Sequence, residues 1–65
     1  MVYLDLHNYL RNTGTGCFNE LLFQLMNKAD CENYYKLANA FPEQAAAWSA
    51  FQENGVAWVE KQIAP

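Results

Sequence analysis

The chain has 65 residues, 52% hydrophobic and 15% aromatic, with seven acids against four bases and a formal charge of −3. A domain near 60 residues buries only about 60% of its unfolded surface, which leaves little room for a substrate pocket of several hundred Å³. Arg11, Lys28, Lys36 and Lys61 are scattered singly, and this disfavours nucleic acid as a partner, because displacing counterions from a phosphate backbone takes clustered cations.

The opening "VYLDLHNYLRN" satisfies two patterns. Val2, Leu4 and Leu6 alternate as in a strand, whereas Tyr3, Leu6, His7 and Leu10 recur as on one helix face. With no second strand to pair with, a short helix ending near Arg11 is expected. A short N-terminal strand is the alternative. Asn12 and Gly14 are natural terminators.

The next segment has the clearest periodicity. Phe18, Leu21, Leu22, Leu25, Met26 and Ala29 predict a helix from about Cys17 to Lys28 with that stripe buried. Phe23 falls off the stripe. Asp30 then suits the N-cap of a third helix, and Glu32 the positive end of its dipole. Tyr34, Leu37, Ala38 and Phe41 form its expected buried stripe, to about Ala40, where Pro42 stops it by disfavouring the α region at the preceding residue.

Pro42 also starts a fourth helix, with Glu43 in its first turn. Its expected buried face is Ala47, Trp48 and Phe51, with Ala45 and Ala46 admitting a close backbone, and Gly55 is expected to close it in the left-handed conformation. "VAWVEKQIAP" reads as a fifth short helix or tail with Val56, Val59 and Ile63 on one face and Trp58 on another. The expected fold is a single all-α domain over residues 1–65, a bundle of four to five short helices.

"NTGTGCFNE", residues 12–20, is the one stretch resembling a ligand loop. A P-loop needs Lys and a hydroxyl residue directly after its second glycine; Cys17 and Phe18 stand here instead. A dinucleotide fingerprint needs a third glycine where Asn19 stands. The stretch is therefore expected to be an interhelical joint, with Gly14 and Gly16 reversing the chain and Thr13 or Thr15 capping. No metal is expected, since Cys17 and Cys31 lie fourteen residues apart with no CxxC or HxxxH pair. No cofactor or enzymatic site is expected either. His7, the one histidine, is read as sitting at the edge of a core face with a satisfied ring nitrogen.

Asp5 and His7 interrupt the N-terminus before any secretory apolar core forms, and no run approaches the ~18 apolar residues of a membrane span. A cytoplasmic location is thus expected, with Cys17 and Cys31 as free, mostly buried thiols. The aromatics off the stripes, Phe23, Tyr35 and Trp58, are the candidate protein-interaction residues, because a small core is not expected to hide ten aromatic side chains.

Residues 21–48, "LLFQLMNKADCENYYKLANAFPEQAAAW", contain a helix ending in Lys28-Ala29-Asp30, then Asn33, Lys36 and Leu37, and a Phe41-Pro42-Glu43 junction. This pattern resembles short phage and prophage accessory proteins. The resemblance implies an all-α product of a mobile element in the host cytoplasm, and it carries no catalytic residues across. The reading is a non-enzymatic interaction protein that binds itself as a homodimer or docks on a host protein. The alternative is a small helix-turn-helix-like nucleic-acid regulator built on the second and third helices, for which the third helix offers Lys36 as its one base.

Overall fold

A computed structural model describes residues 2–14 and 16–64. Among these residues the chain forms five helices and no strand: α1 (Val2–Arg11), α2 (Phe18–Lys28), α3 (Cys31–Ala40), α4 (Pro42–Asn54) and α5 (Val56–Ile63). The helix alternative for the opening segment is the one adopted.

The boundaries follow local chemistry. Past α1, Asn12 takes a positive φ of 57°, and the Asn12 and Thr13 amides donate back to the Tyr9 and Asn8 carbonyls at 3.1 and 3.0 Å. This pair of bonds is a Schellman closure, with Asn in the place usually taken by glycine. At α3, the Asp30 carboxylate accepts from the Asn33 amide at 2.8 Å. Phe41, held at φ −133° and ψ 69° ahead of Pro42, ends α3 and begins α4. Gly55 has the expected positive φ, but its ψ of 176° places it outside the left-handed helical well. That extended mirror region is essentially open to glycine alone, and it lets α5 start at the very next residue.

The core comprises Leu6, Leu22, Phe23, Met26, Ala45, Ala47, Trp48 and Val59. α1 and α4 are central: each packs on α2 and α5, and they meet one another. Phe23 stacks on Trp48 with ring centroids 6.1 Å apart, Tyr9 leans on both rings, and Trp48 also meets Phe51. α3 packs chiefly on α4, where the Tyr34 hydroxyl donates to the Ala45 carbonyl at 3.2 Å. A polar chain joins three helices: Gln44 Nε2 of α4 donates to Asn19 Oδ1 of α2, whose Nδ2 donates to Asp5 of α1 at 2.8 Å.

Several sequence expectations about burial are corrected. In α2 the buried face is Leu22, Phe23 and Met26, while Phe18, Leu21 and Leu25 are exposed. The apolar residues of this helix span an arc wider than one buried face, and packing against α1 and α4 selects which part of it is buried. The α3 stripe is half-buried at most, because α3 lies at the edge of the bundle. Ala46 and Val56 are exposed, and Ala45 and Ala47 make the close approach. Cys17 is half-buried and Cys31 exposed.

Candidate docking surface

The helices α2 and α3 are connected by only Ala29 and Asp30. Between the two helices runs a groove lined by Phe18, Leu21, Leu22 and Leu25 of α2 with Leu37 and Phe41, of about 270 Å³. Phe18, Leu21 and Leu25 are 63, 58 and 51% exposed. One exposed leucine would be ordinary, but a contiguous apolar face on so small a domain is the candidate docking surface. One end is closed by the edge-on contact of Phe18 with Phe41, centroids 5.4 Å apart. The other opens into a second depression between Leu25, Lys28, Asn33, Lys36 and Leu37. The floor is apolar and the two rim cations stand at that open end, so the surface suits side-chain packing.

The loop before α2 is built around Glu20. This carboxylate is buried, accepts from the Gly16 amide at 3.3 Å and from the Cys17 thiol at 3.3 Å, and lies directly against Gly14. A side chain at Gly14 would overlap it, while Gly16 holds φ +76°. The two glycines therefore wrap the backbone round an acid of the chain itself. The expected hydroxyl cap is replaced: Cys17 is the N-cap residue, with no side-chain cap bond, and Glu20 reaches back from the first turn. The contact ties the residue before the N-cap, Gly16, to the first turn of α2. Thr15 lies outside the described residues. Asp5, Cys17 and Glu20 each bring one potential ligand atom within 4.8 Å of the others, a grouping that sequence spacing did not suggest. Its atoms already bond to Asn19, Gly16 and one another, so it reads as a polar joint between α1 and α2. His7 meets the Glu60 carboxylate at 3.3 Å at the α1–α5 seam.

The three candidate interaction residues are not brought together. Phe23 is fully buried at the centre of the core, which removes it from any surface. Trp58 is half-buried, edge-on to Tyr3 at 5.6 Å. Tyr35 is exposed, at 69%, yet two residues before Leu37 it stands about 200° around α3 from the groove. The residues that do converge, Phe18, Leu21 and Leu25, were assigned to the core by periodicity. Their signal was the apolar surplus of α2 itself: six of its eleven residues, Phe18, Leu21, Leu22, Phe23, Leu25 and Met26, are large and apolar, more than one buried face accommodates. No helix among the described residues is long and apolar enough to cross a membrane. No protein-family model, curated protein or solved structure matches the chain.

Proposed function

We propose that the chain is a non-enzymatic protein-docking module whose working surface is the α2–α3 groove. The observation that carries this reading is the exposure of Phe18, Leu21 and Leu25 in one contiguous face, since burying such side chains gains about 1.5–3 kcal/mol each. The resemblance of residues 21–48 to phage accessory proteins supports it by analogy, because small proteins of that kind often act by occupying another protein's surface. Function would then be steric: a partner segment fills the groove, and the rim charges set its direction.

A photo-crosslinking residue placed at Leu21 in cells producing the protein tests the reading, with the same residue at exposed Glu53 as control. Discrete adducts from position 21, lost when Leu25 is changed to Glu, are expected. Equal adducts from both positions, or none from position 21, would overturn it.

A further inference from the structure

We infer that the occupant of the groove is a second copy of this chain, related by a two-fold axis that runs α2 antiparallel to its counterpart. The inference rests on the docking reading above and adds the partner. Basic side chains line one end of the groove, and an acidic residue follows in sequence from the other. Lys28 and Lys36 line its open end, and Lys36 is held only loosely by Glu32 of its own helix, at 3.8 Å with both side chains exposed. At the closed end Phe41 and Pro42 lead into the exposed Glu43. The two ends are separated by the ten residues from Phe18 to Lys28, about 15 Å along a helix.

A two-fold axis perpendicular to α2 near Leu21 and Leu22 brings Phe18 opposite Leu25 of the other copy. It also carries each basic end toward the other copy's Glu43 end. The same operation sets the two α2 dipoles antiparallel, which is their favourable side-by-side arrangement. A parallel arrangement would instead set Lys28 and Lys36 against their own counterparts. The surface is thus self-complementary under the symmetry that closed dimers most often use. A stable interface takes about 800 Å² from each partner, roughly a fifth of the 4403 Å² this chain exposes, so the contact has to extend beyond the groove. In a molecule of 35 × 24 × 16 Å, that requires most of one face.

Sedimentation equilibrium of the purified chain over a wide concentration series tests the inference, with far-UV circular dichroism to confirm that each variant folds. The wild type is expected to reach twice its 7.5 kDa monomer mass. Leu21→Glu is expected to remain monomeric with helicity unchanged. Lys28→Glu and Glu43→Lys are each expected to weaken association by roughly tenfold, about 1.4 kcal/mol. Mixing those two single variants should restore it, because residue 28 of each copy then faces an opposite charge at residue 43 of the other. A wild type that is monomeric throughout overturns the inference, and adducts from position 21 to a different protein would then leave the docking reading standing. A dimer indifferent to Leu21→Glu overturns both the interface and the inference. A dimer broken by Leu21→Glu but not restored by mixing overturns the antiparallel arrangement.

Discussion

At the scale of single residues, Phe23 and Gly14 carry more of the structure than their sequence positions suggest. Phe23 is enclosed by Tyr9 and Trp48, and Phe→Ala in a core costs about 3–5 kcal/mol. A 65-residue domain has a total stability of about 3–10 kcal/mol at ordinary values per residue. Phe23→Ala is therefore expected to leave the chain largely unfolded by circular dichroism at room temperature, whereas Tyr35→Ala, on an exposed side chain, is expected to shift its urea midpoint very little. Gly14→Ala is expected to push the Glu20 carboxylate aside and weaken its bonds to Gly16 and Cys17, at no more than about 1 kcal/mol because the free end of a flexible side chain is what moves. The cost should shrink in the Gly14→Ala, Glu20→Ala double variant, since the two substitutions act on one contact. If the double variant is as unstable as the sum of the singles, Gly14 has some other role. The thiols differ in access, so alkylation followed by mass spectrometry is expected to modify exposed Cys31 before half-buried Cys17. Equal rates would contradict the placement of Cys17 beside Glu20.

At the scale of helices, starts and stops were legible in the sequence because they depend on local chemistry. Asp30, Pro42 and Gly55 act within one or two residues of where they stand, and α1 to α5 begin and end close to the expected positions. Which face of α2 points inward was not legible. Leu22, Phe23 and Met26 compete with Phe18, Leu21 and Leu25, and only the positions of α1 and α4 decide between them. For the same reason Phe23, expected at the surface, is buried, and Leu21, expected in the core, is exposed. The Asp5–Asn19–Gln44 chain was equally hidden, as it joins residues far apart in sequence. Asn19→Leu would strand its partners at the meeting point of three helices. The expected loss is about 1–3 kcal/mol in urea unfolding; a loss below a few tenths would mean water replaces those bonds freely.

At the scale of the molecule, α1, α4, α5 and the inner face of α2 make a core that is complete without the outer face of α2. α3 packs chiefly on α4, and the apolar groove lies between it and α2. The domain thus separates residues that hold the fold from residues available to a partner, and they alternate along one helix. The most direct measurement is urea unfolding of the Leu21→Gln, Leu25→Gln double variant at a concentration low enough that both it and the wild type are monomeric. Exposed substitutions usually change stability by within about 0.5 kcal/mol each, so a midpoint shift equivalent to less than about 1 kcal/mol is expected, with helicity unchanged. A loss of about 4 kcal/mol or more, as for two leucines truncated in a core, would place that face inside the fold and leave no docking surface to explain.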